Sequence, residues 1–211
     1  MSSDLNPQKA LIFRITHRDN IPWMLDNGLH CRNSKIVDPK YVEIGNPELI
    51  QKRRQRIVPE PPGGTLSDYV PFYFTPFSPM LLNIRTGHNG IRKRANDEIV
   101  IMVSSLHSLR RKNIPFLFTD RHANLKAAQF SSDLTQLNWI DWPSLQRRDF
   151  KRDDSDKFER YQAEALVHKH MPIDAIVGIV AHSDSVTSTL KELCVKRSLD
   201  VPLAARPRWY F

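Results

Sequence analysis

The apolar run at residues 99–103 (IVIMV) is the strongest constraint on the fold. A continuous apolar run of this length is typical of a strand that is buried on both faces. Shorter apolar segments predict further strands at residues 11–15, 69–74, 114–118, 163–168 and 176–181. Helical segments are expected after residue 20 and at about 47–55, 80–84, 121–130 and 183–197. Short strands in mixed order with short helices favour an α+β fold over a doubly wound sheet.

The length and the charge of the chain limit its class. At 211 residues, of which 40% are hydrophobic, residues 1–211 are expected to form a single domain with a substantial core. Lys and Arg number 31 against 23 Asp and Glu, and this net charge of +8 favours a polyanionic partner such as nucleic acid. No apolar run reaches the ~20 residues that span a bilayer, and residues 1–9 lack the pattern of a signal peptide. A cytoplasmic protein without membrane association is expected.

The sequence lacks the patterns of a classical dinucleotide-binding fold, a disulfide framework, thiol catalysis and a metal site. The chain has no GxGxxG fingerprint, which argues against a classical dinucleotide-binding fold. Two cysteines are too few for a disulfide framework, and neither has a His partner in sequence that would indicate thiol catalysis. His168 and His170 would share a face of a strand, but no Cys or carboxylate pattern completes a metal site, so no metal is expected.

Polar residues interrupt the first predicted strand. Side chains alternate along a strand, so Arg14 and Thr16 share one face while Phe13 and Ile15 point towards the core. An Asp-Asn pair that can begin a helix follows at residues 19–20, and Asn27-Gly28 can end it. This arrangement predicts a strand that brings polar groups to the mouth of a cleft.

Glu164 is a single carboxylate in an otherwise apolar strand. A buried carboxylate needs a partner, because an unpaired charge in a low dielectric is costly. Glu164 can therefore be a structural salt-bridge partner of one of the many arginines, or a carboxylate directed into a cleft.

The basic cluster at residues 52–56 (KRRQR) likewise has two interpretations, a solvated helix face or a phosphate-binding cluster. The charged run at residues 147–152 is interpreted mainly as a solvated loop or helix end, and nonspecific affinity for DNA is the alternative.

Four separated segments together resemble one family. Residues 14–20 (RITHRDN), with Ile21, Leu25 and Gly28-Leu29 after them, resemble the first motif of ADP-ribosyltransferases. Residues 69–81 (YVPFYFTPFSPML), 118–123 (FTDRHA) and 160–164 (RYQAE) resemble the DarT toxins, which are DNA ADP-ribosyltransferases of bacterial toxin–antitoxin systems. The resemblance extends in order along nearly the whole chain. It implies an ADP-ribosyltransferase-like α+β fold, with a mixed or antiparallel split β-sheet core and peripheral helices.

The resemblance also implies an activity and its partners. The chain most resembles the branch of the family that modifies thymine. It is therefore expected to be a bacterial toxin that transfers ADP-ribose from NAD to a thymine base in single-stranded DNA, in a preferred sequence context, and so blocks replication. A DarG-type antitoxin, whose macrodomain removes ADP-ribose from DNA, is the expected partner. Two alternatives stay open: the same fold acting on guanine, RNA or protein, and a nonenzymatic nucleic-acid-binding module.

The site residues follow from the matching motifs. The implied catalytic residues are Glu164, whose carboxylate would stabilise positive charge on the ribose, and Arg53, which stands where the family has a catalytic arginine. With a pKa above ~12, an arginine is a poor base, so binding the pyrophosphate or stabilising the anionic acceptor base is the easier role for Arg53. The implied NAD-binding residues are Arg14, Ile15, Thr16, Trp23, Cys31, Arg53 and Tyr73. The implied DNA-binding residues are Met80, Arg92, Arg94 and His122.

Overall fold

The computed structural model describes residues 4–211 of the chain. Residues 1–3, which the signal-peptide prediction included, lie outside the described range. The strands are β1 (Leu11–His17), β2 (Leu29–His30), β3 (Tyr69–Tyr73), β4 (Ile99–Ser105), β5 (Phe116–Thr119), β6 (Phe130–Ser131), β7 (Glu164–His168), β8 (His170–Met171), β9 (Gly178–Ala181) and β10 (Leu203–Ala205).

Seven α-helices lie within the described range, and most of them are short. They are α1 (Ile21–Asn27), α2 (Pro47–Gln55), α3 (Pro79–Thr86), α4 (Leu106–Arg111), α5 (Trp142–Arg147), α6 (Ser155–Tyr161) and α7 (Asp184–Val195). Side-chain caps begin most of them: Asn46, for example, accepts hydrogen bonds from two backbone N–H groups at the start of α2. Short 3₁₀ helices, among them Arg18–Asn20 and Asn96–Glu98, join the strands to their neighbours.

The central sheet has eight strands in the order β10-β9-β4-β1-β3-β7-β5-β6. Neighbouring strands are antiparallel except β9 and β10, which are parallel. β1 is paired with β4 along its full length, from Leu11 to His17, but with β3 at a single residue pair, Phe13 and Tyr73. The sheet is therefore two half-sheets that are joined at one point. This architecture confirms the predicted α+β fold with a split, mixed sheet.

The core lies on both faces of this sheet. Every residue of β4 is buried, as the apolar run predicts. The alternation of β7 divides its side chains: Ala165 and Val167 belong to the main core, whereas Leu166 packs in a smaller cluster with Leu66 and Leu117. Glu164 is on the same face of β7 as Leu166. The carboxylate thus lies beside the smaller cluster, at the end of the strand.

One predicted element is wrong. Residues 121–129 form turns that lead into β6, instead of the helix expected over 121–130. The Asp120 carboxylate accepts a hydrogen bond from the N–H of Gln129, 2.9 Å away, and this contact closes the segment into a loop. The guanidinium of Arg56 binds two carbonyl oxygens of the loop, those of Ala123 (3.3 Å) and Leu125 (2.9 Å). These tertiary contacts occupy backbone groups that a helix would need for its own ladder.

Candidate active site

Two adjoining cavities open where the half-sheets separate. The larger cavity, of about 460 Å³, lies among β1, β3, α1 and the segment between β2 and α2. The smaller cavity, of about 90 Å³, reaches the start of β7. Arg14, Ile15, Ile50, Arg53 and Pro71 line both, so the two cavities are parts of one cleft. The larger volume lies within the range of small-molecule sites, about 300–1,000 Å³.

Glu164 lies at the inner end of the smaller cavity, where its side chain is 3% exposed. Its Oε2 accepts a hydrogen bond from Arg53 Nη1 at 2.7 Å, and its Oε1 accepts one from the backbone N–H of Ala123 at 3.0 Å. His122 Nδ1 is 3.4 Å from the same Oε1. Burial alone would raise the pKa of Glu164, but the Arg53 charge and the hydrogen bonds from Arg53 and the N–H of Ala123 hold it below its usual value. The site therefore holds an ionised carboxylate out of water.

His122 is the second titratable group in this cavity. Its Nδ1 accepts a hydrogen bond from the N–H of Asn124, 3.2 Å away. Burial lowers the pKa of His122, and the charge of Arg53 lowers it further against the opposing effect of Glu164. Both effects favour the neutral form of the ring.

The residues of the basic cluster at 52–56 have different surroundings in the structure. Arg53 pairs with Glu164, whereas Arg56 holds the loop after β5 and lies over the Phe130 ring at 5.8 Å. Lys52 and Arg54 are exposed. α2 has no buried residue, and Arg53 within it and Arg56 just after it are both hydrogen-bonded to other elements. Arg53 and Arg56 are therefore not part of a solvated helix face, and phosphate binding by this cluster stays a prediction.

Arg14 and Thr16 have different surroundings in β1. Arg14 lines both cavities, and its Nη1 donates to the carbonyl oxygen of Pro71 across the split at 3.0 Å. Thr16 is 0% exposed, and its hydroxyl accepts a hydrogen bond from Asn20 Nδ2 at 3.1 Å. Asn20 also exchanges two hydrogen bonds with the backbone of Val42. The expectation that Thr16 faces the cleft is wrong, because Asn20 and the Val42 segment cover that face.

The other predicted NAD-binding residues lie along the cleft. Trp23 and Cys31 line the larger cavity, and Tyr73 lines the smaller one. Burial raises the pKa of the Cys31 thiol, so this side chain is a neutral wall residue. Tyr73 pairs with Glu164 across β3 and β7 and donates its hydroxyl to Met80 Sδ at 3.6 Å.

The predicted DNA-binding residues separate into two groups. Met80 lines the larger cavity and His122 the smaller one, next to Glu164. Arg92 and Arg94 line neither cavity. Arg94 donates to Glu98 Oε1 at 3.0 Å, and its side chain is mostly buried, whereas Arg92 is exposed. The structure thus brings Met80 and His122 to the cleft and leaves the two arginines elsewhere.

Sequence reasoning missed Tyr41, Leu49 and Asn124. Tyr41 lines the larger cavity, and Leu49 and Asn124 line the smaller one. Tyr41 lies in a region of weak apolar pattern, and Leu49 lies in the predicted helix at about 47–55, where only the basic cluster was given a role. Asn124 follows His122 by two positions, but the expected helix over this segment gave it no role.

Two further properties concern residues 4–211. Within that range no three side chains of His, Cys, Asp or Glu come close enough together to hold a metal ion. His168 and His170 lie in separate sheets, because Lys169 between them has a φ of +58°. In the same range, no helix is long and apolar enough to cross a membrane.

Comparison with known proteins identifies the family. The family model "ssDNA thymidine ADP-ribosyltransferase, DarT" matches residues 13–211. A DNA ADP-ribosyl transferase of Escherichia coli O127:H6 is 54% identical over 212 residues, which cover 100% of this chain and 97% of that protein. A DNA ADP-ribosyl transferase–DNA ADP-ribosyl glycohydrolase fusion protein of Thermosipho africanus is 23% identical, over 97% of this chain and 50% of its own length.

Solved structures of DarT from Thermus sp. 2.9 have the same fold. The complex with ADP-ribosylated single-stranded DNA matches with a TM-score of 0.87 at 32% identity, over 97% of this chain and 98% of that one. The complex with NAD⁺ matches with a TM-score of 0.84 at 33% identity, over 97% and 99%. The cleft and its buried carboxylate thus belong to an ADP-ribosyltransferase fold.

This chain belongs to the DarT family. It is an NAD-dependent DNA ADP-ribosyltransferase, and NAD is its cosubstrate.

Proposed function

We propose that this enzyme transfers ADP-ribose from NAD to a thymine base in single-stranded DNA, in a preferred sequence context, and releases nicotinamide. The observation that carries the proposal is Glu164, an ionised carboxylate that is held out of water by Arg53 and the N–H of Ala123 at the end of a nucleotide-sized cleft. Single-stranded DNA is the suitable acceptor, because the reacting edge of thymine is paired in a duplex.

The larger cavity is assigned to NAD. Trp23 and Tyr41 supply aromatic surface, and Arg14 supplies positive charge for the pyrophosphate. The Nε of Arg14 is buried without a hydrogen-bond partner among the described residues, so this donor is available to a ligand. Tyr73 is assigned to the nicotinamide end, since it lines the smaller cavity and lies beside Glu164.

The reaction is a displacement at the nicotinamide-bearing ribose carbon. N3 is the only ring nitrogen of thymine in DNA that carries hydrogen, and its electron pair forms the new bond. The bond to nicotinamide breaks, its electron pair neutralises the pyridinium ring, and the N3 proton passes to solvent. The transition state carries positive charge on the ribose, which the Glu164 carboxylate stabilises more strongly than it stabilises the ground state.

Arg53 has two effects in this scheme. Its Nη1 keeps Glu164 ionised and fixed in orientation. Its permanent positive charge also favours the anionic form of thymine as the N3 proton leaves. Arg53 therefore acts through charge and hydrogen bonding, not as the proton acceptor.

The biological setting follows from the same proposal. ADP-ribose on a template base would block replication, so the enzyme would act as a toxin in the bacterial cytoplasm. A DarG-type macrodomain antitoxin that removes the modification is the proposed partner. The fusion of transferase and glycohydrolase in the Thermosipho africanus relative supports this pairing.

The test is an assay of purified enzyme with NAD and a panel of single-stranded oligonucleotides. A mass gain of one ADP-ribose on thymine, with nicotinamide released, is expected for the natural enzyme. Glu164→Gln should lower the rate by at least about 100-fold, the usual scale for a group that stabilises transition-state charge. The control is Glu192→Gln, an exposed residue of α7, which should leave the rate unchanged.

The assay separates this proposal from its alternatives. Product mapping on guanine-containing DNA, RNA and protein shows whether another acceptor is used. Salt-sensitive DNA binding without NAD consumption would identify a nonenzymatic binding module. A Glu164→Gln variant with full activity would overturn the catalytic assignment.

A further inference from the structure

Asn124 lines the smaller cavity with an unused amide group. The Nδ2 and Oδ1 atoms are both buried, and neither has a hydrogen-bond partner among the residues that the structure describes. A buried amide without partners is costly, because it has lost its hydrogen bonds to water and gained none in the protein. Such a group in a native fold requires an explanation, and a bound ligand is one.

Arg53 supplies a second unused donor in the same cavity. Its Nη1 is engaged by Glu164, but its Nη2 is buried and has no partner within residues 4–211. Arg53 enters from α2, whereas Asn124 enters from the loop after β5. The cavity therefore has an unsatisfied donor on each of two separate elements, both near the carboxylate of Glu164.

The loop that carries Asn124 is fixed in place although the amide is free. Arg56 binds the carbonyl oxygens on either side of Asn124, those of Ala123 and Leu125, and the N–H of Asn124 donates to His122 Nδ1. The backbone position is thus set by three hydrogen bonds. A ligand can therefore bind the amide without breaking a hydrogen bond of this side chain to the described residues.

We propose that Asn124 is a specificity-determining residue that recognises the acceptor base. Its Nδ2 donates to one carbonyl oxygen of thymine, and Arg53 Nη2 donates to the other. This inference rests on the proposed function, since it assumes thymine as the acceptor.

The chemistry of the bases gives the reason for two donors. The edge of thymine that carries N3–H presents a carbonyl on each side of it, an acceptor–donor–acceptor pattern. Two donors that approach from opposite sides match both carbonyls and leave N3 free to react. Cytosine has an amino group in place of one carbonyl, and guanine has an amino group on one side of its ring N–H. Because a guanidinium has no acceptor atom, a base that turns its amino group towards Arg53 Nη2 would bring a donor against a donor in a buried site, which is strongly unfavourable.

The same contacts would also favour the reaction. When N3 loses its proton, the negative charge spreads over both carbonyl oxygens. Donors that are already in place at these oxygens stabilise the charge as it develops. Asn124 would therefore affect both the choice of base and the rate.

The experiment pairs a protein variant with a change in the base. Oligonucleotides carry thymine, 2-thiothymine or 4-thiothymine at the modified position, because sulfur is a much weaker acceptor than oxygen. The kcat/KM of the natural enzyme and of Asn124→Ala is measured on each by mass spectrometry. We expect Asn124→Ala to lower kcat/KM on thymine about tenfold, the effect of one hydrogen bond. On one of the two thio bases the difference between the enzymes should shrink to less than twofold, and on the other it should stay near tenfold.

Controls separate recognition from folding. The NAD-dependent rise in melting temperature should be the same in Asn124→Ala as in the natural enzyme, because the proposed contact is with DNA. Asn138→Ala, at an exposed position remote from the cleft, should behave like the natural enzyme with all three bases. Asn124→Ser serves as a second variant if the alanine variant does not fold.

Two results would overturn the inference and leave the proposed function standing: equal kcat/KM for the natural enzyme and both variants on thymine, or the same loss on all three bases. If the natural enzyme modifies no thymine but modifies another acceptor, the proposed function fails, and this inference fails with it.

Discussion

At the scale of single residues, Glu164 unites two interpretations that looked like alternatives. It is a salt-bridge partner of an arginine, and it is also the carboxylate of the cleft. The two roles depend on each other, because an unpaired carboxylate at 3% exposure would become protonated and lose its charge. The Arg53 ion pair is thus what makes a buried, ionised carboxylate possible at this position.

Removal of Arg53 should therefore destabilise the protein at neutral pH. Arg53→Met leaves Glu164 without its cation, and the expected loss in free energy of unfolding at pH 7 is about 3 kcal/mol. The pKa of Glu164 should rise in this variant, because burial remains while the positive charge is gone. A raised pKa in the folded state adds stability at low pH that is lost as the pH rises. Urea unfolding should thus show a smaller deficit at pH 5 than at pH 7.

The double variant Arg53→Met/Glu164→Gln is the control for this prediction. It has no buried charge at this pair of positions, so it should recover at least half of the lost stability at pH 7, and its deficit should be the same at pH 5 as at pH 7. Equal stability of the double variant and Arg53→Met would show that the cost comes from lost packing of the arginine side chain.

At the scale of elements, single side chains bind long segments to the sheet. Asn20 holds Val42 by two hydrogen bonds and Thr16 by a third, and Arg56 holds the loop after β5. The contacts between Asn20 and Val42 join positions 22 residues apart in sequence, and the contact between Arg56 and Leu125 joins positions 69 residues apart. They give the walls of the cleft their shape, although the walls contain little regular structure.

Loss of the Asn20 amide should loosen the segment before α2. Asn20→Ala removes three hydrogen bonds at a 0% exposed position, with an expected cost of about 2–3 kcal/mol in the free energy of unfolding. Amide hydrogen exchange around Val42 should rise more than exchange in β4, and NAD affinity should fall. The matched control is Asn96→Ala, which removes a side-chain amide that donates to the Phe211 carbonyl. This variant should leave NAD affinity unchanged. Unchanged exchange around Val42 in Asn20→Ala would contradict the prediction.

Glu98, in the 3₁₀ helix before β4, makes the stability of this segment depend on pH. It accepts hydrogen bonds from the N–H of Ala95 (2.8 Å) and from Arg94 (3.0 Å), and these contacts lower its pKa to about 2. Because the pKa is lower in the folded state, the stabilisation is present above about pH 4.5 and is lost as the pH falls towards 2. Glu98→Gln should cost about 1–2 kcal/mol at pH 6, and the difference should shrink between pH 4.5 and 2.5.

Urea unfolding at several pH values measures this effect. Glu192→Gln, at an exposed position of α7, should show no difference at any pH. A deficit of Glu98→Gln that stays constant down to pH 2.5 would show that the carboxylate charge does not contribute.

The sequence predicts elements well where the cause is local. The apolar run of β4 and the Asn-Pro start of α2 determine those elements directly, and both are present. The loop at residues 121–129 could not be predicted, because Arg56 and Asp120 hold its backbone through tertiary contacts. The same reason explains why the position of Thr16 was predicted wrongly. Strand alternation puts Thr16 and Phe13 on different faces of β1, but only the fold shows that Asn20 covers Thr16.

At the scale of the whole molecule, the net charge of +8 is the property that most affects an encounter with DNA. Several cations are already paired within the protein, including Arg53, Arg94 and Arg121. Lys52 and Arg54 are exposed on α2, on either side of the arginine that enters the cleft. These two side chains can therefore contact the phosphates of a strand whose base occupies the smaller cavity.

Binding to single-stranded DNA should weaken steeply with salt. Each neutralised phosphate contributes a slope of about −0.7 to a plot of log K against log salt concentration. The double variant Lys52→Gln/Arg54→Gln should reduce the magnitude of the slope by about 1.4, and it should weaken binding to all sequences equally because phosphate contacts carry no base information. Lys191→Gln/Lys196→Gln, two exposed lysines on and just after α7, is the matched control with the same change in net charge. Fluorescence anisotropy with labelled oligonucleotides at several salt concentrations measures both slopes. Equal slopes for the two double variants would mean that the total charge, and not the position of α2 beside the cleft, governs DNA binding.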